Sequence, residues 1–148
     1  GMDNGFVYRK LNASDIDSVV RMETDFRSGF IVRENAERFL RDPMNWLIAC
    51  LSGDRIIGFA YGYELNRLNG IGNMVYIHEV GVLPEYQRRG IGTELLRTIK
   101  RLCKSTGVCR FFLFTERSNI GACSLYGKMK GEEAHTDDVA YFFNDLDE

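Results

Sequence analysis

The stretch Gln87-Arg88-Arg89-Gly90-Ile91-Gly92 lies between a nearly uncharged run, residues 74–83, and an amphipathic run, residues 90–104. If the first is a strand and the second a helix, the two glycines fall at the helix start. First-turn N–H groups have no acceptor within a helix, and the positive end they form favours phosphate. Gly90 and Gly92 let the backbone approach an anion that a side chain would hold away, and Arg88 and Arg89 add charge. The spacing matches neither the dinucleotide fingerprint nor the Walker lysine motif. The plainer alternative is a tight loop before an ordinary helix whose arginines are solvated. Glu79 is the one acid in residues 74–83.

Composition narrows the classes. The 148 residues suit one domain. The 45% hydrophobic and 27% charged content is that of a folded globule. No run approaches eighteen apolar residues, so no membrane span is expected. A formal charge of -2 disfavours a duplex-binding protein, so nucleic acid is not an expected partner, but a local anion site stays open. Cys50, Cys103, Cys109 and Cys123 form no CxxC pair, and His78 and His135 are the only histidines. No metal site is expected, and free thiols in a reducing cytoplasm are preferred. Gly1 before Met2 reads as a tag remnant, with no signal segment after it.

The elements follow from periodicity. Residues 6–11 read as a first strand. Asn12 or Ser14 caps a helix with Ile16, Val19, Val20 and Phe26 on one side, which Gly29 ends. A second helix over 35–41 stops before Pro43. Residues 46–51 and 55–65 form a hairpin around Ser52-Gly53-Asp54, with Gly58 and Gly62 inviting a bulge or close backbone approach. A polar loop spans 66–73. The apolar run 74–83 predicts a central strand, 90–104 a helix, 108–114 a buried strand and 122–129 a short helix. Two short strands are predicted within 132–143. The fold class is α/β, with helices on both faces of a sheet that the early hairpin makes mixed and not purely parallel.

The run Val82-Leu83-Pro84-Glu85-Tyr86-Gln87-Arg88-Arg89-Gly90-Ile91-Gly92 resembles the acetyl-coenzyme A motif of the Gcn5-related N-acetyltransferase (GNAT) superfamily. Asn119, Ala122, Leu125, Tyr126 and Lys128 are similar to its second cofactor segment, and the resemblance runs over residues 6–143. It implies the acyl-CoA N-acyltransferase fold, a mixed, mostly antiparallel central sheet with helices on both faces in which two central parallel strands part in a V. It implies acetyl-CoA as co-substrate, with backbone amides of Gln87, Arg88, Arg89, Gly90, Ile91, Gly92 and Thr93, and the Thr93 hydroxyl, on the pyrophosphate. Backbone groups of Val80 and Val82 then hold the pantetheine arm, Asn119 binds that arm or orders its loop, and Tyr126 lies near the thioester sulfur.

Transfer to an amine needs a lost amine proton, a polarised carbonyl and a stabilised thiolate. Strand alternation faces Glu79 away from Val80 and Val82. It is the candidate base, acting through water, or else a charge anchor for a cationic acceptor. Glu116 is the reserve acid. The resemblance gives Tyr126 the acid's role, and the Val80 N–H is placed to polarise the carbonyl. His78 is expected on the face opposite Glu79. Cys123 sits in the Tyr126 helix, but the family transfers directly, without an acetyl-cysteine.

Within the superfamily the chain is most similar to the aminoglycoside 3-N-acetyltransferase branch, at Phe39-Leu40-Arg41, residues 46–64, Tyr76-Ile77-His78-Glu79 and the acidic tail into Tyr141-Phe142-Phe143. A polycationic sugar suits Glu64, Glu79, Glu116, Asp137 and Asp138 if they line one mouth. Two departures stand out. Asn119-Ile120-Gly121 replaces acids of that branch, and Lys130-Gly131 replaces the common Gly-Phe, with Gly131 expected as the chain break. Polyamine and peptide amines are alternative acceptors, and a non-catalytic acyl-CoA-binding module is the alternative outside catalysis. Ala140-Tyr141-Phe142-Phe143 is very apolar for a chain end and suggests a homodimer through the tail.

Overall fold

The computed structural model describes residues 5–27 and 31–148. The expectations for Gly1, Met2 and Gly29 lie outside the described residues. Nine elements follow in order: β1 (Val7–Lys10), α1 (Ile16–Phe26), α2 (Arg33–Arg41), β2 (Asn45–Ser52), β3 (Arg55–Leu65), β4 (Met74–Val82), α3 (Ile91–Thr106), β5 (Arg110–Leu113) and α4 (Ile120–Lys128).

Local chemistry sets these boundaries. Asn12 accepts from the Ser14 N–H while Asp15 accepts from the Asn12 N–H, a reciprocal cap that opens the turn leading into α1. Arg27 ends α1 in the left-handed region, at φ 51°. Gly53, at φ 62°, makes the tight turn between β2 and β3. Gly107, also left-handed, ends α3.

The sheet order is β1-β2-β3-β4-β5. All pairings are antiparallel except β4 with β5, which is parallel and connected through α3. The mixed sheet with helices on both faces is as expected. Alternation sends Trp46, Ile48, Cys50, Ile57, Val75 and Ile77 toward α3, where they pack on Leu95, Leu96 and Ile99. Leu47, Ala49, Leu51, Ile56 and Phe59 face α1 and α2, meeting Val19, Met22 and Leu40.

Both suspected glycines in β3 are needed. The β3–β4 register shifts between Tyr61 and Gly62, and a Cβ at Gly62 would collide with the backbone carbonyl of Tyr76. A Cβ at Gly58 would lie 2.8 Å from Ile91 Cγ2, at the start of α3.

Two expectations fail. Residues 132–143 form no strand, and the tail is exposed throughout. A short apolar segment with no strand beside it has no ladder to satisfy its amides and carbonyls. The break after α4 is also displaced. Lys130 takes the left-handed conformation, at φ 70°, while the Gly131 N–H closes the turn on the Tyr126 carbonyl at 2.8 Å.

Gly62→Ala is expected to lose about 2–4 kcal/mol of stability in denaturant unfolding, because rigid backbone must move. Gly127→Ala, in α4 with open space around its Cβ position, is the control, expected to gain about 0.5–1 kcal/mol. Equal stabilities would refute the close approach.

Candidate active site

The candidate anion cradle comprises the end of β4 and the start of α3. Leu83 donates its N–H to Ile57 at 2.9 Å, and a single turn over Pro84–Tyr86 follows. Gln87 Nε2 donates to the Val82 carbonyl at 3.1 Å and folds the loop back on β4. Arg88 and Gly90 both have positive φ, 63° and 81°, and α3 begins at Ile91. The first helical bond is from Glu94 N–H to the Gly90 carbonyl, at 3.0 Å. No side chain caps Gly90, so the amides of Ile91, Gly92 and Thr93 have no acceptor among the described residues. Ile91 is buried and contributes backbone only. Arg89 lies over the Tyr86 ring at 5.2 Å, so its charge is held at this end. A Cβ on Gly92 would come within 2.9 Å of Leu125 Cδ2, which records how near α4 lies.

Beside the cradle, the two parallel strands separate. The β4–β5 ladder runs from Met74–Arg110 to Ile77–Leu113, while β4 continues to Val82 against β3. Because the Leu83 N–H points to β3, alternation turns the Gly81 and Glu79 N–H groups the same way. The backbone groups of Val80 and Val82 therefore face the parted side. Val80, Val82, Leu125 and Tyr126 pack on one core cluster. The Tyr126 hydroxyl has no hydrogen-bond partner among the described residues. Burial, then the nearby Cys123, pushes the phenol above its ordinary value, so it stays protonated at neutral pH. Asn119 Oδ1 accepts the Ala122 N–H at 3.1 Å and caps α4. This oxygen is thus engaged at the start of α4.

The opposite face of β4 holds the acid. In the bulge Glu79 pairs with Tyr61 and Ile77 with Gly62, leaving His78 as the extra residue. The expectation that His78 faces away from Glu79 fails for this reason. Its ring lies 5.3 Å from Tyr61 and its Nδ1 is 3.0 Å from the Tyr76 hydroxyl, on the face that carries Glu79. Glu79 is exposed and lines a cleft of about 660 Å³ with Asp25, Phe26, Arg27, Gly81 and Glu85. Burial, then the Glu79 charge, raises the Tyr61 phenol.

The other expected acids do not gather there. Glu64 accepts from Trp46 Nε1 at 3.1 Å and from Asn73 Nδ2 at 2.7 Å, and it pairs with Val75 on the α3 face. It braces the hairpin instead of lining a mouth with Glu79. Glu116 is exposed after β5, its carbonyl taking the Asn119 N–H and the Cys123 thiol. Asp137 and Asp138 stand in the exposed tail. Among the described residues no three metal-ligating side chains come together, and no helix is long and apolar enough to cross a membrane.

Sequence reasoning missed an aromatic wall next to Glu79. Tyr61, Tyr63, Tyr76, Phe112 and Phe114 form a chain of ring contacts with Phe39 and His78. Its signal was the period-two aromatics at 61/63, 76/78 and 112/114.

Residues 13–131 match the model of the Acetyltransferase (GNAT) family. N-alpha-acetyltransferase RimI of Mycobacterium tuberculosis is 33% identical over 90 residues, 60% of this chain and 53% of that protein. The chain spans only 27% to 53% of the length of the first curated relatives that it matches. The fold is similar to that of the aminoglycoside acetyltransferase meta-AAC0020, from an uncultured soil metagenomic sample, in complex with sisomicin (TM-score 0.81, 18% identity, 99% of this chain and 100% of that one). It is also similar to AAC(6')-Iy in complex with the bisubstrate analog CoA-S-monomethyl-acetylneamine (TM-score 0.74, 18% identity, 93% and 96%).

Asn119→Ala is expected to cost about 0.5–2 kcal/mol in urea unfolding, as loss of a helix cap, with acetyl-CoA affinity little changed. A large affinity loss at unchanged stability would return Asn119 to the ligand site.

Proposed function

Because the chain belongs to the GNAT acetyltransferase family, we propose that it is an N-acetyltransferase that moves the acetyl group of acetyl-CoA directly to a primary amine of a small cationic acceptor. The observation that carries this is the parting of β4 from β5 beyond Ile77, immediately before an uncapped α3. A diphosphate fits the amides of the first turn, with Arg88 and Arg89 adding charge and the Thr93 hydroxyl a further donor. An extended amide arm fits the free edge at Val80 and Val82, where it pairs as a strand would. The bound thioester supplies an activated acetyl group.

Glu79 takes the amine proton, through water, or anchors the cationic amine. The Val80 N–H polarises the acetyl carbonyl. As the new C–N bond forms and the C–S bond breaks, Tyr126 gives its phenol proton to the sulfur. Cys123 takes no covalent part in this scheme.

An aminoglycoside is the favoured acceptor. Glu79 at the cleft suits a cationic group, Asp25 and Glu85 there being paired with Arg55, and the aromatic wall offers ring faces to sugar and ammonium groups. Glu116 and Asp138 are proposed as further substrate-binding acids. The similarity to an N-alpha-acetyltransferase favours a peptide amine as the second reading, with polyamines beside it. A non-catalytic acyl-CoA-binding module would keep the cradle alone. The proposed enzyme has no nucleic acid, membrane or metal as partner. It works as a cytoplasmic homodimer, and its free cysteines suit a reducing compartment.

Thiol release from acetyl-CoA, screened against aminoglycosides, polyamines and peptides, tests the reading. Turnover with one class is expected, and acetyl-CoA binding without turnover on any amine would leave only the module. Glu79→Gln is expected to lose turnover chiefly at low pH, where the amine is protonated, and to approach the parent as pH rises toward the amine's pKa. An unchanged pH–rate curve removes Glu79 from proton transfer. Tyr126→Phe is expected to lower turnover roughly 100- to 10,000-fold. Because burial raises the phenol pKa, the parent should keep this contribution through neutral and mildly alkaline pH; parity of the two enzymes would reject the acid role.

A further inference from the structure

Rings line the α1–α2 face of the sheet beyond the part that those helices bury. α1 and α2 pack on β2 and β3, and the buried cluster beneath them takes no residue from β4 or β5. On the same face the register makes Tyr63, Tyr76 and Phe112 direct neighbours on three adjacent strands. Phe114 follows on this face, immediately past the end of the β4–β5 ladder at Ile77–Leu113, and is 74% exposed. It therefore stands where the two strands part.

Tyr76, Phe112 and Phe114 touch one another. The Tyr76 and Phe112 rings are stacked, with centroids 5.4 Å apart and planes at 29°. Phe114 stands across both, at 65° to Tyr76 and 89° to Phe112, with centroids at 5.9 and 6.1 Å. Rings set at steep angles offer faces on two sides of one corner. Each face carries negative potential, so such a corner attracts an organic ammonium. The chain's own cations use ring faces elsewhere, Lys10 over Trp46 and Arg89 over Tyr86. Among the described residues no lysine or arginine lies over the three rings of this corner.

Charge on the same face limits what the corner can take. Glu79 lies beyond His78, exposed and, among the described residues, in no ion pair. At the other end Arg110 pairs with Met74, two residues before Phe112, and its Nε is 3.1 Å from the Met74 sulfur. Strand alternation puts Arg110, Phe112 and Phe114 on one face. The corner thus lies between one carboxylate and one guanidinium. The carboxylate draws a cationic chain along the rings, and the guanidinium stops it there. Two to three residues along a strand separate Glu79 from the corner, a span of roughly 6–10 Å.

We propose that the Tyr76–Phe112–Phe114 corner is a second cation subsite for the acceptor, holding a non-reacting ammonium while Glu79 receives the amine to be acetylated. The acceptor class is then an organic di- or polycation whose charged groups stand roughly 6–10 Å apart. As an acceptor subsite the corner rests on the proposed acetyl transfer; ammonium binding at the rings does not. Phe114 is the specificity-determining residue, because its ring is exposed and can be changed without disturbing the core.

Proton NMR with choline, set against its uncharged isostere 3,3-dimethylbutan-1-ol, tests the rings without turnover. The choline methyl protons are expected to shift upfield saturably, with the isostere binding about fivefold or more weakly. Phe114→Leu keeps an apolar side chain and is expected to weaken choline binding about 2- to 5-fold, and Phe114→Trp to restore it. In thiol-release assays choline should raise the KM of the amine acceptor and leave kcat unchanged, the mark of competition for binding alone. No saturable shift, equal binding of the isostere, or parity of Phe114→Leu with the parent would overturn the ammonium subsite; equal binding would mark a plain apolar surface. Choline that binds the rings but leaves the acceptor's KM untouched would overturn the assignment to the acceptor. Choline binding weakened by Phe114→Leu, in a protein that releases thiol with no amine, would refute acetyl transfer and with it the acceptor role, while the ammonium site stands.

Discussion

Strand β4 is bonded to β3 over its whole length but to β5 only as far as Ile77. The site depends on that inequality. Past Ile77 one edge of β4 offers the amides and carbonyls of Val80 and Val82 with no ladder partner, and backbone groups away from water require one. Among the described residues only the Val82 carbonyl is engaged, by Gln87. An extended chain of amides therefore has a place there, and the same strand delivers it to a helix start whose own amides are free.

Small residues hold this geometry open. Gly58 lets Ile91 pack beneath β3, which pins the first turn of α3 against the sheet. Gly81 lies under the Phe59 ring, where a Cβ would come within 2.7 Å. Gly62 admits the Tyr76 carbonyl and so permits the bulge at His78. The bulge turns two consecutive residues, His78 and Glu79, toward the α1–α2 face, while Val80 returns to the α3 face. Glu79 and the Val80 side chain thus lie on opposite faces of one strand, the separation that the proposed meeting of amine and thioester at its edge requires.

Much of this was legible in the residues. The apolar run ending at Pro84, the glycine pair at 90 and 92 and the amphipathic helix after them specify strand, cradle and helix through local rules of periodicity and capping. Asn12, Gly53 and the hairpin were readable for the same reason. Facing was less so. A bulge inserts one residue into the period of two, so alternation alone put His78 on the wrong side. Glu64 looked like its fellow acids, and only the register showed it tied to Trp46 and Asn73. The break at Lys130 was hidden because a residue with a Cβ took a conformation usually left to glycine. The tail was read as strands from its composition, yet strand formation depends on a partner, which composition does not supply.

Calorimetric titration with coenzyme A, set against pantetheine that lacks the diphosphate, addresses the cradle and the parted strands together. Saturable binding of coenzyme A is expected, with pantetheine at least about tenfold weaker, since each tenfold is 1.4 kcal/mol and several charge-assisted hydrogen bonds are lost. No saturable heat with coenzyme A up to millimolar concentration, or equal affinity for the two ligands, would contradict the assignment of the α3 amide end to a diphosphate.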